Sequence, residues 1–396
     1  MLIISFDALG DSEFDDMAEY PAFRALSGQA AVFRGVSSIF VSNTYPVHAS
    51  VVTGVPPGVH GLVSNTEPFP SPDPIWHYQE ERIHAKTLWQ AAAEIGIATA
   101  AVLWPATAYS RSIRYNIPEV KAHPGQNQIW TSIKAGSKFV QIKMFLRHQK
   151  LLEGVRQPAL DRFSTACMAD ILREYKPGLA LIHLTAYDSL CHENGKRSAA
   201  AYTAYEELDR NLAALLHAAG DGEDVILFSD HSQLGVHTVL DPNNALVAAG
   251  LLRRQGGAYL PGESGCYFAC DGGSAFFHAG SIPASRVEEI RESIGRGEGF
   301  RRFLTVEELR GSGMGGAAFG FCAEAGYYYE AFGGKKKANH GYPLDMPGYT
   351  VFYMVRGCGL APGGVFHGGS LLDIAPLAAR RLGVDLGAPP DAGISQ

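Results

Sequence analysis

The chain has 396 residues, 46% of them hydrophobic and 18% charged, with a net charge of −7. That length buries a large core in one big domain or two smaller ones, and the composition is ordinary for a globular protein. The acidic balance, with Lys335-Lys336-Lys337 a short run of the kind a solvated loop carries, excludes a basic phosphate-tracking groove, so a nucleic-acid polymer is not an expected partner. No stretch approaches the roughly 18 consecutive apolar residues of a membrane span, and no membrane partner is expected either. The six cysteines lack a framework spacing and read as free, buried thiols. Met1-Leu2-Ile3-Ile4-Ser5-Phe6-Asp7 opens the chain without a basic segment before its short apolar run. A reducing, cytoplasmic setting is therefore expected.

Leu2 to Phe6 is a continuous apolar run, the mark of a strand buried on both faces of a parallel sheet. It ends at Asp7, where open α/β sheets place their sites. Pro21 to Leu26 reads as a short helix and Val32 to Val41 as an extended segment leading to Asn43-Thr44-Tyr45-Pro46-Val47-His48. Pro46 suits a first helical turn, which sets Thr44 just before a helix N-terminus, where backbone N–H groups favour an anion. An N-cap role for Thr44 fits the same local pattern. His48 reads as a structural histidine within that helix. A Pro/Gly loop from Gly54 to Gly61 leads to Asn65, a neutral amide suited to contact a phosphoryl oxygen.

Lys86 to Ile95 and Ile97 to Trp104 continue the alternation as helix and strand. Residues 116–157 break it, and Trp130, Phe139, Met144 and Phe145 among lysines suggest a helical excursion that could cap the site. Leu160 to Tyr175 is a helix and Gly178 to Leu184 a buried strand. Asp188 and His192 follow, four apart and able to share one metal if a helix starts there. After the long helix Ala199 to Ala219, the run Asp224 to Ser229 ends in Asp230-His231. A buried, unpaired carboxylate beside an imidazole is costly, and metal coordination removes that cost. Residues 240–338 read as a small inserted α+β subdomain within a single catalytic domain spanning 1–396. Ala338-Asn339-His340-Gly341-Tyr342 is a turn carrying one more ligand, followed by a core strand and a closing helix. Three carboxylates and three imidazoles make a ligand set for two divalent metals, with Thr44 left over as nucleophile.

The order Asp…Thr…Asp-x-x-x-His…Asp-His…His resembles the alkaline phosphatase superfamily and, more narrowly, the nucleotide pyrophosphatase/phosphodiesterase family. The similarity touches nearly the whole chain and is strongest at Thr44-Tyr-Pro-x-His with Val52-Thr53-Gly54, at His60-Gly61-Leu62-Val63 and at Asn339-His340-Gly341-Tyr342. It implies a doubly wound, mostly parallel central sheet with helices on both faces and the small inserted α+β subdomain. It also implies two divalent metals, zinc by the nature of the ligands with manganese as a substitute. Asp188, His192 and His340 would hold one. Asp7, Asp230 and His231 would hold the other, together with Thr44. Asn65 matches a phosphoryl-contacting asparagine and Tyr45 an aromatic that stacks on a nucleoside base. His183 stands where nucleotide-cleaving relatives have a second stacking aromatic, a departure that loosens the substrate assignment.

The reaction so implied is hydrolysis of a phosphodiester or phosphoanhydride through a covalent phospho-threonine. A phosphonoacetate-hydrolase-like C–P cleaver and a phosphomonoesterase compete on the same fold. The first would need basic residues for a carboxylate, for which Lys134, Lys138 and Lys143 are candidates. The second would need an arginine beside the site, and none adjoins Thr44, Asn65 or Asp188 in sequence. A Cys-x-Pro-x-Arg sulfatase stretch is absent. A metal-containing but inactive binding protein is the reading from another class, which turnover of any aryl phosphodiester would end.

Overall fold

The computed structural model describes residues 1–388. Six apolar runs become strands: β1 (Leu2–Phe6), β2 (Ala31–Val36), β3 (Thr99–Val102), β4 (Tyr115–Ile117), β5 (Leu179–Leu184) and β6 (Val225–Ser229). With Val351–Arg356 and Val365–His367 they form one eight-stranded sheet, in the order Val365–His367, β2, Val351–Arg356, β6, β1, β5, β3, β4. Only Val351–Arg356 runs against its neighbours, β2 and β6; the other pairings are parallel.

The sheet is covered on both faces because its strands are apolar on both. Leu2, Ile4 and Phe6 pack with Phe163, Met168, Leu208 and Leu212 of the helices Ala159–Tyr175 and Ala199–Ala219. Ile3, one residue out of phase, packs with Val47, Val51, Trp89 and Ile374 on the opposite face. Each such buried side chain contributes roughly 1.5–3 kcal/mol, and truncating Ile3 or Ile4 to Ala would cost about 2–5 kcal/mol. The register then sets the site: Phe6 lies level with Leu184 on one side and Ser229 on the other. Three adjacent strands therefore release their chains at the same height.

The helix bearing the Thr44 segment runs from Thr44 to Thr53, so it starts two residues before Pro46, with Asn43 as its N-cap in extended backbone. Pro46 in the first turn costs nothing, because N–H groups there have no partner within the helix. The preceding strand stops at Val36, and residues 37–43 form a loop rather than a longer extended segment. Residues 138–148 form a helix at the β4 edge of the sheet and against the helix Ala159–Tyr175, and the helix 128–135 packs on it.

Beyond β6, the strand Leu234–Leu240 is flanked by Gly326–Tyr329, parallel, and Ala338–Asn339, antiparallel. Between them lies a four-stranded antiparallel sheet with its own aromatic core of Phe268, Phe277, Phe319, Phe321 and Tyr329. All six cysteines are free, and Cys167, Cys191, Cys266 and Cys322 are buried.

Candidate active site

Asp7 follows β1, Asp230 and His231 follow β6, and Asp188 and His192 lie one turn apart on the helix Ala186–Asn194 that follows β5. Thr44 enters from the helix after β2, and His340 from the turn after Ala338–Asn339. Three groups among the described residues could hold an ion, and two of them are made of these residues: Asp7, Asp230 and His231, all buried, and Asp188, His192 and His340, partly open; the third joins Asp230 to His48 and His183. The first two adjoin, with the His231 and His340 rings 4.2 Å apart.

His231 Nε2 is the point on which the first group converges. It lies 3.4 Å from Thr44 Oγ1, 3.4 Å from Asp7 Oδ1 and 3.4 Å from Asp230 Oδ2. Ligand atoms held about 2.0–2.1 Å from a tetrahedral zinc are separated by roughly 3.3 Å, whereas hydrogen bonds cluster near about 2.9 Å. Asp7 Oδ1 and Asp230 Oδ2 are buried without a hydrogen-bond partner, and such orphans demand an explanation. The other Asp230 oxygen is fixed by the N–H groups of Ala8 (3.0 Å) and His231 (2.9 Å). Burial, reinforced by the Asp230 and Asp188 carboxylates, pushes the Asp7 carboxyl well above its usual range. A bound cation would relieve that crowding of charge, and the residues fit a divalent metal. In the second group His192 Nε2 is 3.2 Å and His340 Nε2 4.0 Å from Asp188 Oδ1.

The ligands are held from behind. His192 Nδ1 donates to Ala338 O (2.7 Å), and His340 Nδ1 to Asn43 Oδ1 (2.8 Å), whose Nδ2 donates to Asp271 Oδ1 (2.9 Å). Such partners fix the ring tautomer and leave Nε2 for a metal. Gln233 Nε2 donates to Asp188 Oδ1. Burial, with His231 adjacent, pushes the His340 imidazole well down, so it is neutral and ligand-competent. Asn65 Oδ1 accepts the Tyr45 N–H (2.9 Å), which orients the amide at the start of the helix. The loop bringing Asn65 there is tied down by His60, whose Nε2 meets Ser50 Oγ at 2.9 Å and whose ring burial pushes down to about 3.

A cavity of about 200 Å³ opens beside these groups, lined by Asn43, Asn65, Trp76, Asp271, Tyr329 and His340 among others. Tyr45 does not line it. Only 2% exposed, it packs against Trp76 at 5.6 Å, so the half-buried Trp76 presents the aromatic surface that was expected of Tyr45, while Tyr329 borders the cavity from within the core. Trp76 sits in a Pro-rich loop whose lack of periodicity hid it. His183 is also no stacking surface. It is fully buried on β5, with Nε2 3.1 Å from Asp7 Oδ2 and Nδ1 3.8 Å from Glu119 Oε2. Burial alone would lower its pKa, but these two carboxylates raise it well above the usual value. His48 bonds Thr44 O (2.7 Å) and Ser5 Oγ (2.9 Å), which uses both ring nitrogens. The lysines considered for a carboxylate lie elsewhere: Lys143 bonds Glu174 and Tyr175, Lys138 is exposed, and Lys134 lines a separate cavity of about 430 Å³ with Tyr78, Tyr109 and Trp130.

A family profile described as type I phosphodiesterase / nucleotide pyrophosphatase matches residues 1–302. Bis(5'-adenosyl)-triphosphatase ENPP4 of Bos taurus is 24% identical over 115 residues, 27% of this chain and 25% of that protein. The match thus spans about a quarter of that relative's length. Murine ectonucleotide pyrophosphatase / phosphodiesterase 5 has a similar fold, with a TM-score of 0.71 and 15% identity over 98% of this chain and 96% of that one. The human counterpart gives the same score and identity over 99% and 96%. An inactive murine form carrying a threonine-to-alanine substitution has been solved in complex with AMP. Since the profile matches well over half of its length, the chain belongs to the type I phosphodiesterase / nucleotide pyrophosphatase family of hydrolases.

Proposed function

We propose that the chain hydrolyses phosphodiester or phosphoanhydride bonds at a pair of divalent metals, zinc or manganese, with Thr44 as the nucleophile. The convergence of Thr44 Oγ1, Asp7 Oδ1 and Asp230 Oδ2 at 3.4 Å from His231 Nε2 carries this reading. Asp7, Asp230 and His231 would hold one ion and Asp188, His192 and His340 the other. When bound, such ions stabilise charge on phosphoryl oxygens and make hydroxyl and water nucleophilic near neutral pH.

Thr44 stands at the first turn of a ten-residue helix, whose dipole favours the attacking oxyanion and the phosphoryl group. Its hydroxyl proton passes to solvent, and Oγ1 bonds to phosphorus as the bond to the leaving oxygen breaks. The leaving oxygen takes a proton from water. A second water then cleaves the Oγ1–P bond and frees Thr44 for the next cycle. Asn65, its carbonyl anchored on Tyr45 N–H, turns its NH₂ group toward the phosphoryl oxygens. The inactive threonine-to-alanine form of the murine relative supports the role of Thr44.

Diesters are favoured over monoesters, because no arginine lines the cavity among the described residues and Lys336 lies 3.6 Å from Glu330. A nucleotide substrate is supported by the AMP complex of the relative and by Trp76 in the cavity wall. Turnover of bis-p-nitrophenyl phosphate, p-nitrophenyl thymidine monophosphate and p-nitrophenyl phosphate on zinc-loaded protein tests both points. The diesters should far outpace the monoester, with a further gain from the thymidine group. A faster monoester would overturn the diester assignment, and equal rates for the two diesters would remove the nucleoside.

A further inference from the structure

We propose that the helix Lys138–His148 and its flanks dock on the surface of an anionic lipid bilayer. This is independent of the reaction assigned above. The helix is apolar on two opposite faces. Val140 and Met144, four apart, are buried against the body of the protein. Phe139, Ile142 and Leu146, at spacings of three and four, share the other face, and that face meets solvent: Phe139 is 89% and Leu146 66% exposed. Trp130 on the preceding helix is 62% exposed, and Leu151 and Val155 just beyond the helix are exposed as well. An exposed apolar helix face with further exposed apolar side chains on its flanks marks an interaction site.

The charge around the patch identifies what covers it. Residues 127–157 hold six Lys or Arg and one Glu, a balance of +5 in a chain of −7, which leaves −12 on the remainder. Lys143 and Arg147 are engaged with Glu174 and Asp170 of the adjacent helix. Lys134, Lys138, Lys150 and Arg156 are exposed and form no ion pair among the described residues. Protruding aromatic and aliphatic side chains interleaved with free cations match the acyl boundary beneath anionic headgroups, which supplies an apolar layer and negative charge together. A second copy of the chain is a poor occupant, because an isologous contact would bring two such basic patches face to face. The eleven-residue helix is about 16 Å long, and no described helix is long and apolar enough to cross a membrane. The docked helix therefore lies in the interface plane. The loop leading into this region sets Lys121 Nζ 6.0 Å over the Trp76 ring, part of the cavity wall beside His340.

Co-sedimentation of the full chain with phosphatidylcholine vesicles, with and without phosphatidylglycerol, tests the assignment. Binding is expected with the anionic lipid alone. It should fade in molar salt, where the screening length falls to about 3 Å. K138Q should weaken partitioning about fivefold, the worth of one cation near an anionic surface, and F139S about tenfold or more. Both positions are exposed, so melting temperature and aryl diester turnover should be unchanged in both variants. Absence of binding to anionic vesicles, or equal binding of F139S and the parent, would overturn the proposal. So would a concentration-dependent dimer that F139S abolishes, which would assign the face to a second copy.

Discussion

Asp7→Asn should stabilise the metal-free protein and destabilise the metal-loaded one. The Asp7 and Asp230 ligand oxygens lie within 4.8 Å of each other. Two unit charges at that distance repel by about 3.5 kcal/mol at an effective dielectric of about 20. Burial and this neighbour hold the folded Asp7 pKa well above its ordinary value, so the metal-free folded state keeps a proton that the unfolded chain has lost. Its stability therefore falls as pH rises above about 4 and is lowest once Asp7 ionises. Asparagine removes the repulsion at every pH and gives up part of the pairing with His183 at 3.1 Å, so the repulsion is an upper limit to the gain. With an unfolding entropy of about 2.1 cal/mol/K per residue, 396 residues give roughly 0.83 kcal/mol/K, and 3.5 kcal/mol becomes about 4 °C. Melting curves in a chelator should show Asp7→Asn ahead by up to that amount near pH 8 and level with the parent near pH 4. Added zinc should reverse the order, because the amide is a poor ligand where a carboxylate is needed. Coincident metal-free melts at both pH values would refute the reasoning, as would an equal zinc-induced rise in both proteins.

Thr44→Ala should keep its metal content, measured by elemental analysis, while losing turnover by about 10³ or more. Near-normal rates would remove Thr44 as nucleophile. Asn65→Ala should lower kcat by about 10²–10³ with metal content intact, and a change confined to KM would make it a binding residue only. His183→Gln should weaken metal affinity about 10- to 100-fold in competition with a chromogenic chelator, because Asp7 loses the ring that positions it. Unchanged affinity would reduce His183 to packing. Gly341 has φ +83°, and a Cβ there would sit 1.9 Å from Asp271 O. Gly341→Ala should therefore lower stability by more than about 2 kcal/mol, and a urea midpoint equal to the parent's would contradict this.

Much of the frame is readable from the chain because buried parallel strands are unbroken apolar runs. Leu2–Phe6, Gly178–Leu184 and Asp224–Ser229 each stop close to a ligand, and the four-residue spacing of Asp188 and His192 is helical. The side that each residue faces is harder to read. His183 lies in a strand whose six residues are all buried, so no alternation of polar and apolar residues shows whether it faces a cavity or the core. Its register opposite Ser5 turns it toward His48 instead. Tyr45 lies on a helix whose ten residues are likewise all buried, and the usual amphipathic signal is absent there too. Trp76 and Asp271 reach the cavity from a loop and a distant strand end, contacts set by long-range packing rather than by local pattern.

The three-stranded ribbon beside β6 has one more consequence. The chain departs toward the aromatic-cored sheet along Leu234–Leu240 and returns along Gly326–Tyr329 and Ala338–Asn339, which pair with that same departing strand from its two sides. Entry and exit are thus stitched together in a ribbon of their own, and His340 follows directly on its last strand. What lies between also grips that residue: the Gly273 N–H donates to His340 O (2.8 Å), Ser274 Oγ donates to Gly341 O (2.8 Å), and the Asp271 carboxylate accepts from the Asn43 amide that holds the ring. The excursion is therefore coupled to the candidate site, so that a change at its Asp271 end would shift the cavity wall and the His340 ring together.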